Sequence, residues 1–171
     1  MSLRLIGVIV AASLFAGTTF AAAGTTVGSA FVSGHGISAR LPARWTGVVY
    51  QRVGGLPILH AGSVRLPPVD GDDGAQRAVR RMRPADVLIV MLEYRPSVSH
   101  FPRRALPLRL QRSDFGTPVE GMPLTRAFAR MEFSTSGRSF DLWVEFGSKH
   151  ARSAAIDAVD RMLATLRIHA R

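Results

Sequence analysis

Asp86-Val87-Leu88-Ile89-Val90-Met91-Leu92-Glu93-Tyr94 is the stretch whose reading decides the fold. Apolar residues run unbroken from Val87 to Leu92, between Pro84 and Pro96. So short a run, holding Val and Ile, reads as a strand buried on both faces rather than as a helix. Such a strand needs neighbours for its backbone N–H and C=O groups and apolar cover on each side. That places it in the middle of a sheet with helices packed against it.

On the C-terminal side, Leu124–Phe133 and Ser139–Phe146 alternate apolar and polar residues. Ala127, Ala129, Met131 and Phe133 share one face with Phe140, Leu142, Val144 and Phe146 of the second run. Ser134-Thr135-Ser136-Gly137 between them is hairpin chemistry. The polar faces set Arg126 and Arg130 against Asp141 and Glu145 across the strands, with Trp143 packed beneath those side chains. Ser148 is the expected cap of a helix from Lys149 to Leu166. There Ala151, Ala155, Val159, Met162, Leu163 and Leu166 fall on one stripe.

Toward the N-terminus, Gly36–Leu41 alternates as a half-buried strand stopped by Pro42. Trp45 follows in a turn, as an aromatic plug over the sheet edge or as a stacking platform for a ligand. Val48–Val53 and Ile58–Leu66 are the next two strands, the second with Gly62 as a bulge. Asp70-Gly71-Asp72-Asp73-Gly74 lacks the ligand spacing of a calcium loop and reads as a turn in which Asp73 caps a helix over Ala75–Met82. The irregular loop Arg95–Pro107 leads to alternating Leu106, Leu108 and Leu110, a short edge strand, and then to a further loop over Ser113–Pro123. The fold class is α+β: a mostly antiparallel sheet flanked by helices, with an amphipathic C-terminal helix on one face.

The chain has 171 residues, a formal net charge of +10 and no cysteine, and Lys149 is the only lysine among its 22 basic residues. Without cysteine there are no disulfides, thiolate metal sites, iron–sulfur clusters or Cys nucleophile, and stability must come from the core. Arg4 precedes an uncharged, Ala-, Val- and Leu-rich stretch that ends in Ala21-Ala22-Ala23. This is the layout of a secretory signal cleaved after Ala23, with an uncleaved single-pass membrane anchor as the rival reading. Residues 1–23 are therefore expected to be a signal peptide, 24–35 a flexible lead-in and 36–171 one domain.

Two segments resemble a known family. Gly36-Ile37-Ser38-Ala39-Arg40-Leu41-Pro42-Ala43-Arg44-Trp45 is similar to the opening strand and Pro-x-x-Trp turn of PsbP/Mog1-like domains. Arg161-Met162-Leu163-Ala164-Thr165-Leu166-Arg167-Ile168 is similar to their closing helix and tail, and exported actinobacterial proteins share the Gly137-Arg138-Ser139-Phe140 hairpin. The resemblance implies an antiparallel sheet flanked by helices and a non-enzymatic accessory or binding role. It fixes no functional residue.

No nucleophile elbow, phosphate-binding Gly-Lys-Ser/Thr loop, dinucleotide motif or His-Glu-x-x-His helix occurs, so no catalytic residue, metal ligand or cofactor site is marked. The chemistry that stands out is cationic. Arg77, Arg80 and Arg81 take the polar face of the Ala75–Met82 helix with Arg83 just beyond, Arg103 and Arg104 sit in a loop, and these form the candidate anion-binding set, with Trp45 as the candidate ligand-facing aromatic. A secretory address and the lack of interleaved aromatics argue against nucleic acid. An anionic envelope polymer, a lipid surface or an acidic protein fits the charge, so the expected role is an exported envelope binding module. The alternatives are an extracytoplasmic hydrolase with an unmarked site and a structural subunit of an envelope complex.

Overall fold

The computed structural model describes residues 30–67, 75–95, 97, 100–116 and 125–171. The central run forms strand β5 (Val87–Tyr94), preceded by β1 (Phe31–Gly34), β2 (Ile37–Arg40), β3 (Thr46–Gln51), β4 (Pro57–Gly62) and the short helix α1 (Gln76–Val79). It is followed by β6 (Ala127–Thr135), β7 (Arg138–Phe146), helix α2 (Ser153–Leu163) and β8 (Arg167–Ile168). Five strands make a sheet in the order β3-β4-β5-β7-β6, with every neighbouring pair antiparallel. A second antiparallel sheet runs β1-β2-β8.

β5 is the middle strand, and its alternate residues enter two different cores. Val87, Ile89 and Met91 join a large cluster with Leu59, Leu142, Val144, the β2 residues Ile37 and Ala39, and Val159, Met162 and Leu163 of α2. Leu88 and Val90 face the other way, onto Trp143 and the α1 residues Ala78 and Val79. Each large apolar side chain buried this way contributes roughly 1.5–3 kcal/mol. That is why an uninterrupted apolar run, rather than an alternating one, marks this strand. On α2, Val159, Met162 and Leu163 are buried while Asp157 and Arg161 are exposed.

The β6–β7 hairpin turns on Ser136 and Gly137, both with positive φ (51° and 72°), the geometry of a tight two-residue hairpin. Thr135 pairs with Arg138 across it.

Several expected elements take another form. Residues 31–34, expected within a flexible lead-in, make strand β1, because β2 offers them a ladder from Phe31↔Arg40 to Gly34↔Ile37. Gly62 is not a bulge. It pairs in register with Thr46 and Leu88, and a Cβ there would lie 2.2 Å from the Val87 carbonyl oxygen, so glycine is required for close backbone approach. Leu106–Leu110 forms no strand; Leu108 is buried, and the Leu110 N–H donates to Asp160 Oδ1 of α2 at 2.9 Å instead of to a ladder. α1 and α2 are shorter than expected, and Ser148 does not cap α2: its hydroxyl donates to the His150 carbonyl, and the N-cap position is Arg152. The expected signal segment at 1–23 and the Asp70–Gly74 turn lie outside the described residues.

Candidate functional site

Arg77 of α1 and the arginines that follow it are turned outward by the packing of their neighbours. Ala75, Ala78, Val79 and Met82 are buried against Leu88, Val90 and Trp143, which leaves Arg77, Arg80, Arg81 and Arg83 exposed. The end of the cluster is held firmly. The Arg83 N–H donates to Asp86 Oδ2 at 2.7 Å, and the Asp86 N–H returns a bond to the Arg83 carbonyl at 2.9 Å. Gly147 lies so close beneath that a Cβ would fall 1.8 Å from the Arg83 carbonyl oxygen.

The acids are disposed in the opposite way. Glu93, Asp114, Asp141 and Glu145 are all buried, and each meets an arginine. Arg138 grips Glu93 with Nη2 2.6 Å from Oε2 and Nε 3.1 Å from Oε1. Arg130 takes both oxygens of Asp141 at 2.9 and 2.8 Å, and this hydrogen bond raises the pKa of the guanidinium. Arg104 reaches Asp114 at 3.5 Å, and Arg126 bonds Glu145. The two hairpin pairings are the ones the alternation of β6 and β7 predicts. Burial pushes the Glu145 carboxyl up, and the Arg126 bond only partly opposes it. Among the described residues Asp86, Glu132, Asp157 and Asp160 are partly or fully exposed, whereas most of the arginines are exposed. The exposed charge among the described residues is therefore mostly positive.

The two arginine groups are separate. Arg126 touches α1 by donating to the Val79 carbonyl at 3.0 Å, just before β6 begins. The loop carrying Arg103 and Arg104 is fastened at the far end of the same strand, where Ser134 N–H donates to Pro102 O at 2.7 Å and Arg104 N–H to Ser134 O at 3.1 Å. An extended strand rising ~3.3 Å per residue puts these ends about 25 Å apart. No single small ligand bridges them.

Trp45 packs into the main core, 8% exposed, as the plug reading expects. It also forms one wall of a recess of about 280 Å³ with Asp86, Ser148 and Arg152.

At the hairpin end lie two larger recesses that share Ser136 and Gly137. One, about 610 Å³, is lined by Phe101, Arg103, Arg104, Ala105 and the hydroxyl residues Ser134, Thr135, Ser136 and Ser139. The other, about 510 Å³, has Glu93, Arg138 and Arg171 in its wall. There Arg171 also reaches Glu93 Oε2 at 3.1 Å, and Arg138 Nη1 donates to the His169 carbonyl at 3.1 Å. The Gly137-Arg138-Ser139-Phe140 motif is thus explained by packing: Arg138 bonds Glu93 and stacks over Phe140, 5.2 Å from its centroid. The serine and threonine walls were not visible as a site in the sequence, because Arg103 and Thr135 are distant in the chain and the Arg103–Ser134 bridge and the Ser134–Phe101 bond bring them together in the fold. Among the described residues no three His, Asp or Glu side chains converge as a metal site, and no helix is long and apolar enough to cross a membrane.

No family model, no curated protein and no solved structure matches the chain.

Proposed function

We propose that the protein is an exported, non-enzymatic binding module of the cell envelope that engages an anionic partner through its exposed arginines. The observation that carries this reading is the sorting of charge among the described residues: Glu93, Asp114, Asp141 and Glu145 are buried against arginines, while most of the guanidinium groups are exposed. Packing stability does not demand that arrangement, since buried ion pairs gain little over apolar contacts. Its consequence is a surface that attracts anions. The Arg4-to-Ala23 stretch supplies the address, and the amphipathic α2 serves as cover for the main core rather than as the contact surface. The resemblance to PsbP/Mog1-like domains belongs to the same reading and supports an accessory role. Arg77, Arg80, Arg81 and Arg83 form the principal contact, because they are all exposed within seven residues of chain.

The test is a titration of the full chain against a phosphate-rich wall polymer over a range of salt. Affinity falls steeply and log-linearly with salt if contact is made through several arginines. Affinity indifferent to salt contradicts the reading.

A further inference from the structure

We propose that the recess between the Arg103 loop and the Ser136–Gly137 turn is a binding site for a phosphate ester of a small polyol. The proposal deepens the anion-binding reading by naming the chemical group taken at a second place, distinct from Arg77, Arg80, Arg81 and Arg83.

The recess is preorganised. Its loop wall is stitched to β6 by the two backbone bonds at Ser134 that make the Arg103–Ser134 bridge, and by the Ser134 hydroxyl, which donates to Phe101 O at 3.1 Å. Its other wall is the tight hairpin. Neither wall has to be ordered when a ligand arrives, which lowers the cost of binding.

The donors divide into committed and uncommitted ones. Ser134 and Ser139 bond one another at 2.9 Å, and the Ser136 hydroxyl donates to the Ile168 carbonyl at 3.0 Å. Arg104 leans on Asp114 only at 3.5 Å. Arg103 and the Thr135 hydroxyl have no hydrogen bond or ion pair from their side chains among the described residues, and no carboxylate is in the lining. The amides of Ser136 and Gly137 lie in the turn, outside the strand ladder. What remains is a set made mostly of donors: a guanidinium, part of another, a hydroxyl and turn amides. A phosphoryl group, with its several charged acceptor oxygens, is the complement of such a set. At about 610 Å³ the recess is larger than a bare ion needs, and Phe101 and Ala105 give the carbon part of an ester an apolar wall.

The experiment titrates the full chain with glycerol 1-phosphate and, separately, with inorganic phosphate, following both by calorimetry. Saturable binding of the ester, tighter than that of phosphate, is expected. Arg103→Gln and Thr135→Val each weaken it, the first by about tenfold or more, as expected for loss of a charge-assisted hydrogen bond. Arg161→Gln, at an exposed position of α2 outside the lining, leaves it unchanged. No saturable ester binding, equal affinity for inorganic phosphate, or binding indifferent to Arg103→Gln overturns the proposal. Both residues are partly or fully exposed, so the variants fold; unchanged circular dichroism and melting temperature confirm it. Polymer binding without Arg103-dependent ester binding would sink this site while leaving the envelope reading standing, and the converse result would do the reverse.

Discussion

Arg138 Nη2 lies 2.6 Å from Glu93 Oε2 inside the protein, where the two side chains are only 3% and 4% exposed. Arg138 of β7 lies two residues along from Phe140, the register partner of Glu93 on β5, so a diagonal cross-strand pair holds charge at the edge of the main core, and through His169 and Arg171 it ties down the chain beyond β8. Removing Glu93 leaves Arg138 buried without a carboxylate, and removing Arg138 leaves Glu93 with only Arg171, whose side chain is 53% exposed. Arg138→Met is expected to cost about 3–5 kcal/mol, and the double variant Glu93→Gln/Arg138→Met distinctly less than the sum of the two single changes. Urea unfolding midpoints decide it. Additive losses would show that the pair is not coupled.

Glu145 gives a pH dependence with a definite sign. Its folded pKa is raised by burial, so over the window from the unfolded carboxylate range up to the raised value the folded state binds more protons than the unfolded one. The contribution of this group to stability is therefore fully present below that window and declines as pH rises through it. Glu145→Gln should remove that decline. Stability measured against pH by denaturant melts is the check, and an identical slope in wild type and variant refutes it.

Gly62 and Gly147 sit under backbone carbonyls with no room for a methyl group: a Cβ would fall 2.2 Å from Val87 O and 1.8 Å from Arg83 O. Gly147→Ala and Gly62→Ala are each expected to destabilise by ~1–3 kcal/mol or more through forced backbone shifts. Gly54→Ala, where nothing lies within 4 Å of the added carbon but φ is +71°, should cost less, and only through backbone strain. Thermal melting of the three variants side by side separates crowding from strain.

Much of the fold is legible because the residues concerned carry their own pattern. The Val87–Leu92 run and the alternation flanking Ser136 and Gly137 each fix local structure, and the central strand and the hairpin follow. Phe31–Gly34 is not legible. Two small polar or flexible residues in four give no period, and that strand exists because β2 presents an edge to it. Leu106–Leu110 misleads for the opposite reason: its alternation is real, but its partner is Asp160 of a helix rather than a strand. The arginine clusters can be read from the sequence as clusters. That they stand at opposite ends of β6, and that four carboxylates are drawn inside, depends on tertiary packing.

The most direct test of the central claim compares the full chain with its Arg77→Gln/Arg80→Gln/Arg81→Gln/Arg83→Gln variant, binding a phosphate-rich wall polymer and phosphatidylglycerol vesicles at low and high salt. All four side chains are exposed, so the variant should melt within ~0.5 kcal/mol per site of wild type. The account predicts salt-sensitive binding by the wild type and a loss of at least about tenfold per two charges removed in the variant, with a shallower salt slope. Wild-type binding absent at low salt, or equal in the two proteins, would contradict it.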